Sequence, residues 1–222
     1  MSGINIKNLK DFVGKEVQVN GWVYNIRSIG KIWFVIVRDG TGYVQCVVSK
    51  NDVSEDIFSL ENTLTQESSL KIKGTVQADD RSDSGVEILV TDIDVVHVSE
   101  EYPIALKEHG VSFLMDNRHL WLRSKKQFAI MKVRQNIIKS IRDFFDNRDF
   151  VLIDSPMFTG NAVEGTTTLF ETDYFNRSAY LTQSGQLYQE AGAMAFGKTY
   201  CFGPCFRAEK SKTRKHLTEF WM

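Results

Sequence analysis

Residues 206–222 read FRAEKSKTRKHLTEFWM, with aromatic residues near both ends and a strongly basic middle. Five cations and one acid fall within nine positions: Arg207, Lys210, Lys212, Arg214 and Lys215, with Glu209 among them. The aromatic ends favour burial and the charged middle resists it, so the pattern predicts a strand, a basic loop and a second strand. Such a loop is either a solvated hairpin tip or a receptor for phosphate, because guanidinium and ammonium groups bind phosphate oxygens.

The composition is that of an ordinary globular protein. The 222 residues are 42% hydrophobic and 25% charged, with a net charge of −1, so we do not expect the chain to wrap duplex DNA through bulk charge. No apolar run is long enough for a membrane, no signal segment is evident, and the three cysteines suit a reducing compartment. We therefore expect a cytoplasmic protein without a membrane partner. Cys201 and Cys205 lack a second Cys/His pair, so no metal site is predicted.

The segment from Glu16 to Val98 alternates apolar and polar residues with a period of two. The run Arg38-Asp39-Gly40-Thr41-Gly42 predicts a hairpin turn between two of its strands. Five strands are predicted in all, with a short helix within residues 51–62 between the third and the fourth. This is the order of OB-fold barrels, which bind single-stranded nucleic acid on the face of strands 2 and 3.

That face is predicted to show an aromatic residue beside Gln45 and Arg27. Neighbouring side chains alternate across a strand, so only one of Trp33 and Phe34 points outward, and the sequence leaves the choice open. An outward aromatic next to a Gln and an Arg suits bases that stack and are read on their edges.

A second domain is predicted after residue 98, where the alternation of apolar and polar residues ends. We place an OB-fold domain at 1–98, a linker at 99–123 and the second domain at 124–222. Ser124 with Gln127 three residues on is a capping-box pattern, and the apolar positions that follow predict a helix of more than five turns. Its apolar stripe is wide enough to pack on its own domain or on a partner subunit. A strand at 150–153 follows and ends before Pro156.

Two polar segments complete the pattern. Residues 160–168, GNAVEGTTT, form a loop with one acid, Glu164, which is either an ordinary surface loop or a cover over a substrate. Residues 180–190, YLTQSGQLYQE, predict a strand that turns into a helix, with Ser184, Gln186 and Gln189 near the turn. The first turn of a helix has free N–H groups, so this turn suits a polar, uncharged ligand group.

Taken in order, these segments resemble the class II aminoacyl-tRNA synthetases. The long helix, the strand and Pro156 resemble motif 1, residues 206–220 resemble motif 2, and the OB-like domain is typical of the aspartate, asparagine and lysine subgroup. Residues 160–167, 181–188 and 206–214 are most similar to the bacterial-type asparaginyl-tRNA synthetases. The resemblance implies an α+β fold: a five-stranded OB-fold barrel followed by the first part of the antiparallel-sheet catalytic domain.

The resemblance implies an ATP-dependent ligase that activates asparagine as asparaginyl-AMP and transfers it to tRNA(Asn). Arg207 matches the catalytic arginine that holds the asparagine carboxylate and the ATP α-phosphate. The other implied ATP contacts are Glu209 at the adenine amino group, His216 or Arg214 at the outer phosphates, and Phe220 stacked on the adenine. Glu164, Ser184 and Gln186 match positions that hold the substrate amino group. The implied anticodon contacts are Arg27, Phe34, Gln45 and Glu87.

Gln189 favours asparagine over aspartate as the substrate. Aspartyl relatives resemble this turn but carry Lys at the matching position, where it pairs with the side-chain carboxylate of aspartate. A Lys would face the amide of asparagine as an unpaired cation, whereas Gln can share hydrogen bonds with it. An unpaired polar group costs ~1–3 kcal/mol, which is enough to decide between two amino acids of nearly the same shape.

Members of this family continue well past motif 2. We therefore expect the Mg²⁺ ligands to lie beyond this chain and the chain alone to show little or no aminoacylation. The resemblance also implies a homodimer for the family, with the interface built by the motif 1 helix. Two alternatives remain open: an aspartyl-tRNA synthetase of relaxed specificity, which Gln189 opposes, and a non-catalytic tRNA- or RNA-binding fragment. In the second case residues 1–98 alone would bind the anticodon stem-loop.

Overall fold

The computed structural model describes residues 3–160, 168–210, 213 and 215–222. The chain divides into two compact units, Met1–Asp116 and Asn117–Met222. The finer division into domains at 1–98 and 124–222, joined by a linker at 99–123, stays a prediction.

The first unit contains a closed five-stranded barrel. Its strands are β1 (Glu16–Ile29), β2 (Ile32–Arg38), β3 (Tyr43–Ser49), β4 (Ser69–Ala78) and β5 (Val86–His97), in the order β1-β2-β3-β5-β4. β3 and β5 run parallel, whereas the other neighbours, including the closing pair β1 and β4, are antiparallel. Helix α1 (Glu55–Ser59) and a 3-10 turn lie between β3 and β4. The predicted strand count and helix position are confirmed.

The period of two places one face of each strand in the barrel core. Trp33, Val35 and Val37 are fully buried in β2, and Val44, Cys46 and Val48 are their counterparts in β3. Burying each such side chain contributes about 1.5–3 kcal/mol, so the pairing register of these strands is strongly specified. The open choice is thereby resolved, because Trp33 is 0% exposed and Phe34 faces outward, half-buried.

Asp39 and Gly40 form the turn between β2 and β3. The Asp39 carboxylate accepts from the backbone N–H of Thr41 at 2.8 Å and of Gly42 at 3.1 Å. Gly40 has a φ of +82°, a conformation that glycine adopts without a steric penalty. The predicted hairpin is confirmed. Asp39 also accepts from Ile6 N at 2.8 Å, which ties the 3-10 helix Ile6–Phe12 to the turn.

The predicted linker contains two short helices that the sequence pattern did not indicate, α2 (Val111–Asp116) in the first unit and α3 (Arg118–Trp121) in the second. Helix α4 (Lys125–Asp146) follows, and Ser124 Oγ accepts from Gln127 N at 3.3 Å, so the predicted N-cap is confirmed. The apolar stripe of α4 stays largely open to solvent: Val133 is 58% exposed and Ile137 is 54% exposed.

The second unit pairs its strands in three small sheets. β6 (Val151–Leu152) is parallel to β10 (Thr199–Tyr200); β7 (Phe158–Thr159), β9 (Arg177–Leu181) and β8 (Glu171–Tyr174) form an antiparallel sheet; β11 (Pro204–Phe206) pairs antiparallel with β12 (Glu219–Trp221). Helix α5 (Gln186–Phe196) begins shortly after β9. The predicted hairpin around the basic loop and the predicted strand-to-helix turn are both confirmed.

A single aromatic residue ties β10 to the end of α4. Tyr200 donates its hydroxyl proton to Asp146 Oδ1 at 2.7 Å, and its ring stacks on Phe145 at a centroid distance of 4.7 Å.

Among the helices that the structure describes, none combines the length and the apolarity needed to cross a lipid bilayer.

Candidate functional site

The β11–β12 hairpin carries a cavity of about 310 Å³. The hairpin forms because Cys205 pairs with Phe220 across the two strands, and Arg207 N donates to Thr218 O at 2.9 Å just beyond the last strand pair. The described residues that line the cavity are Arg207, Glu209, Lys215, His216, Leu217, Thr218 and Phe220. Four of the five predicted ATP contacts therefore lie together in one cavity.

Arg207 and Phe220 lie next to each other in this cavity. The guanidinium carbon of Arg207 lies 5.3 Å from the centroid of the Phe220 ring, a cation–π distance, and both residues are half-buried. His216 Nδ1 lies within hydrogen-bonding distance of the Thr213 hydroxyl. A planar cation, an aromatic ring and the carboxylate of Glu209 suit a ligand that joins an anion to a flat heterocycle.

The turn before α5 is held by short polar contacts. Thr182 donates its hydroxyl proton to Ser184 O at 2.7 Å, and Gln186 N donates to Ser184 Oγ at 3.4 Å. Gly185 is closely packed, because a Cβ there would lie 2.5 Å from Ser155 Oγ and 2.7 Å from Cys201 Sγ, so a larger residue would displace these side chains. Ser184 is thus positioned at the start of α5, while the exposed Gln186 bonds to Glu190 at 2.9 Å.

The nitrogen and the oxygen of the Gln189 side-chain amide lie in different surroundings. Its Nε2 donates to Ile153 O at 2.9 Å. Its Oε1 is buried and has no hydrogen-bond partner among the residues that the structure describes. A carbonyl oxygen can only accept, so the bond to Ile153 fixes which end of the amide is the nitrogen. The buried oxygen is left as an acceptor for a ligand N–H group.

The two halves of the predicted site meet at Thr182. Its backbone oxygen accepts from Phe206 N at 2.9 Å. This bond joins the segment that leads into Arg207 to the segment that leads into Ser184. Ser184, Gln186 and Gln189 therefore lie on elements directly joined to the hairpin cavity. Thr182 is itself buried, and the sequence reasoning missed it, since its role depends on a strand contact formed only in the fold.

Two predicted site residues lie outside the described part of the chain: Glu164, within residues 161–167, and Arg214. Their predicted contacts with the substrate amino group and the outer phosphates stay predictions.

The two cysteines of the second unit are packed among other residues, with Cys205 buried and Cys201 partly buried. Cys201 and Cys205 line a second cavity of about 370 Å³ together with Thr182 and Arg142. Burial raises the pKa of both thiols, so they are neutral at physiological pH and poor metal ligands. Across residues 3–160, 168–210, 213 and 215–222, no group of three or more His, Cys, Asp or Glu side chains could hold a metal ion.

The four predicted anticodon contacts form one connected network on the outside of the barrel. Arg27 Nη2 donates to Gln45 Oε1 at 2.8 Å, and Gln45 Nε2 donates to Glu87 Oε2 at 3.1 Å. The guanidinium carbon of Arg27 lies 4.8 Å from the centroid of the Phe34 ring. Strand register explains the arrangement, since Arg27 pairs with Phe34 across β1 and β2, and Gln45 pairs with Glu87 across β3 and β5.

A second charged cluster on the first unit was not anticipated. Arg38 and Glu67 form an ion pair whose side chains are only 11% and 3% exposed, and Arg38 Cζ lies 4.8 Å from the Trp22 ring. Glu67 has a φ of +71°, which is rare for a residue other than glycine. No local pattern marks Glu67 for this conformation, so the sequence carried no signal for the pair.

Comparisons with known families match both parts of the chain. Residues 17–96 match the OB-fold nucleic acid binding domain, and residues 110–222 match the class II tRNA synthetases (D, K and N). The predicted fold, a five-stranded OB-fold barrel followed by the first part of a class II catalytic domain, is confirmed by these matches and by the observed barrel.

Individual relatives are similar over the whole chain. An asparagine–tRNA ligase from Pelotomaculum thermopropionicum is 59% identical over 222 residues, which is 100% of this chain and 52% of the relative. The crystal structure of asparaginyl-tRNA synthetase from Pyrococcus horikoshii complexed with asparaginyl-adenylate is 40% identical with a TM-score of 0.91, covering 100% of this chain and 52% of that one. A putative aspartyl-tRNA synthetase from Leishmania major is 28% identical with a TM-score of 0.81, over 99% of this chain and 46% of that one. The chain thus spans about half the length of the relatives it matches.

Proposed function

Because the chain belongs to the class II tRNA synthetases of the D, K and N group, we propose that its residues activate asparagine with ATP and recognise tRNA(Asn), as parts of an asparagine–tRNA ligase. In this reaction the asparagine carboxylate attacks the α-phosphorus of ATP, pyrophosphate leaves, and the acyl group then passes from AMP to the 3′ end of the tRNA. The observation that carries the proposal is the bond between Phe206 and Thr182, which joins the Arg207 cavity to the Gln189 turn.

The hairpin cavity supplies the ATP side of the proposed site. Arg207 presents a planar fork that suits both the asparagine carboxylate and the α-phosphate, and its charge stabilises the transition state. Phe220 offers a ring on which adenine stacks, Glu209 accepts from the adenine amino group, and His216 lies near the outer phosphates. Catalysis here is positioning and charge stabilisation, so no side-chain nucleophile is required.

The Gln189 turn supplies the amino-acid side. The amide NH₂ of asparagine can donate to the buried Gln189 Oε1, whereas the carboxylate of aspartate would place oxygen against oxygen. Ser184 and Gln186, with Glu164 from the loop before them, hold the substrate amino group. This orientation of the Gln189 amide supports asparagine as the substrate. Aspartate would be the substrate of the alternative enzyme, the aspartyl-tRNA synthetase.

The family uses Mg²⁺ together with ATP. The described residues contain no group of three or more His, Cys, Asp or Glu side chains that fits a metal, so no step of the proposed reaction is assigned to Mg²⁺.

The proposed partners are tRNA(Asn), asparagine, ATP and a second copy of the chain. The Arg27, Phe34, Gln45 and Glu87 network supports anticodon binding by the barrel. An open groove of about 670 Å³ along α4 supports dimerisation; it is lined by Val133, Asn136, Ile137, Ser140, Ile141, Phe144 and Phe145. The proposed function in translation is consistent with the predicted cytoplasmic location.

Calorimetric titration of the 222-residue chain with stable adenylate analogues tests the activation site. We expect asparaginyl-sulfamoyl-adenosine to bind more tightly than its aspartyl counterpart, and Arg207→Ala to weaken both. Tighter binding of the aspartyl analogue would favour the relaxed aspartyl enzyme. Failure to bind either analogue, together with intact RNA binding, would favour the non-catalytic alternative.

A further inference from the structure

We infer that the cavity of about 370 Å³ in the second unit, which we call the Arg142 cavity, binds a free α-amino acid with an apolar side chain. The lining residues that carry this inference are Arg142, Asp154, Met157, Phe202 and Trp221. The hairpin cavity proposed for ATP is lined by a different set of described residues. The Arg142 cavity is therefore a second ligand site beside the proposed activation site.

The guanidinium of Arg142 has a donor without a partner. Its Nε is buried and makes no hydrogen bond to any residue that the structure describes. The Nε–H and a neighbouring Nη–H of a guanidinium form a fork that matches the two oxygens of a carboxylate. A buried charged donor without a hydrogen bond is destabilising, and a ligand carboxylate would remove this cost by accepting from Arg142.

Asp154 makes a simple anion a poor ligand for the same cavity. Both charges act on the Tyr200 hydroxyl, whose pKa is raised by burial and by the hydrogen bond to Asp146, lowered by Arg142 and raised further by Asp154. Arg142 and Asp154 therefore lie near one common group. A ligand with a carboxylate and an ammonium complements both charges, whereas an anion alone is repelled by Asp154 and a cation alone by Arg142.

The aromatic and sulfur-containing part of the lining suits an apolar side chain. Phe202 and Trp221 meet edge to face at a centroid distance of 5.3 Å, and Met157 lies in the same lining. A volume of about 370 Å³ falls within the range of small-molecule sites, which combine mostly apolar walls with a few polar groups. An amino acid of the size of phenylalanine supplies both charges and a ring that can pack on the aromatic pair.

Saturation-transfer NMR with L-phenylalanine and the full 222-residue chain tests this inference. We expect saturable binding to the wild-type chain. Two analogues each lack one charge: 3-phenylpropanoate has no ammonium and 2-phenylethylamine has no carboxylate. Each should bind about 10- to 150-fold more weakly, the range for losing a charge-assisted hydrogen bond.

Matched variants assign the binding to the cavity. Arg142→Met keeps a long apolar stem without the guanidinium and should weaken L-phenylalanine about 10- to 150-fold. Lys132→Met removes a cation from an exposed position of the same helix, outside the cavity lining, and should change the affinity about two-fold or less. Asp154→Asn should narrow the gap between L-phenylalanine and 3-phenylpropanoate, because the repelling carboxylate is gone.

Competition separates the two ligand sites. L-phenylalanine should bind undiminished to a chain saturated with asparaginyl-sulfamoyl-adenosine, because the two cavities have different lining residues. Displacement by this analogue would place phenylalanine in the activation site and overturn the inference while leaving the proposed function standing. If the adenylate analogue does not bind, the proposed function fails, and the three small ligands still test the Arg142 cavity.

Two further outcomes would overturn the inference. One is a wild-type chain that does not bind L-phenylalanine or binds the three small ligands equally. The other is equal affinity of Arg142→Met and Lys132→Met for L-phenylalanine. Should Arg142→Met fail to fold, as judged by its thermal unfolding, the ranking of the three ligands on the wild-type chain decides between binding by both charges and apolar binding alone.

Discussion

Gln189 lies on the first turn of α5, and its amide nitrogen donates to Ile153 O at 2.9 Å. Its amide oxygen is buried and has no hydrogen-bond partner in the part of the chain that the structure describes. A single side chain thereby anchors the helix to the segment after β6 and presents an acceptor toward the proposed substrate. A cation at this position could still donate to Ile153 O, but it would bring no acceptor for the asparagine amide.

Gln189→Lys is predicted to reverse the preference between the two adenylate analogues. Affinity for asparaginyl-sulfamoyl-adenosine should fall about 5- to 150-fold, since an unpaired amide costs ~1–3 kcal/mol, and the aspartyl analogue should gain. Met194→Lys adds the same charge to the same helix at a position 93% exposed and should change neither affinity. If Gln189→Lys leaves the analogues in their wild-type order, the role of Gln189 in specificity is wrong.

Arg207→Lys should weaken ATP binding about ten-fold, although the charge is kept. An ammonium group cannot form two parallel bonds to a phosphate or carboxylate, and a tenfold change corresponds to about 1.4 kcal/mol. Titration of the chain with ATP measures the effect. Lys210→Ala removes a cation from the same loop but from outside the cavity lining, so it should have an effect of about two-fold or less. Equal losses in the two variants would indicate general charge attraction instead.

At the scale of elements, α4 depends on its first turn. Ser124 Oγ accepts from Gln127 N, which has no partner within the helix because it lies in the first turn. Ser124→Ala should cost about 1 kcal/mol locally and speed amide exchange over residues 125–128 about five-fold, as measured by hydrogen-exchange mass spectrometry. Ser124→Asp keeps an acceptor and should preserve protection. Ser140→Ala, in the middle of the same helix, should not speed exchange in the first turn.

The open face of α4 matters at the scale of the whole molecule. Val133, Ile137 and Phe144 are 50–58% exposed along one groove, and a contiguous apolar patch of this kind marks an interaction surface. We predict that the chain sediments as a dimer and that Ile137→Asp makes it a monomer, because the carboxylate would lose its hydration at the interface. Gln135→Asp, outside the groove lining, adds the same charge and should stay dimeric. A wild-type chain that is monomeric at all concentrations would refute this prediction.

The barrel strands, the Asp39 turn, the Ser124 cap and the β11–β12 hairpin were all predictable from the sequence. Each is encoded by neighbours a few residues apart, through a period of two, a turn residue or a cap. The helices α2 and α3 were missed because short helices in an aperiodic segment lack a stripe to detect. The candidate site residues were predicted from a resemblance in local motifs. Their hydrogen-bond partners were not predicted.

The sequence by itself determined which segments form strands and helices and which side chains are chemically suited to nucleotides, amides and bases. Only the tertiary structure decided that Trp33 enters the core while Phe34 faces outward. It alone decided that Gln189 bonds a carbonyl 36 positions away, and that Gln45 lies between partners 18 and 42 positions away. The physical reason is that hydrogen-bond partners are selected by strand register and packing across the fold, which local patterns do not encode.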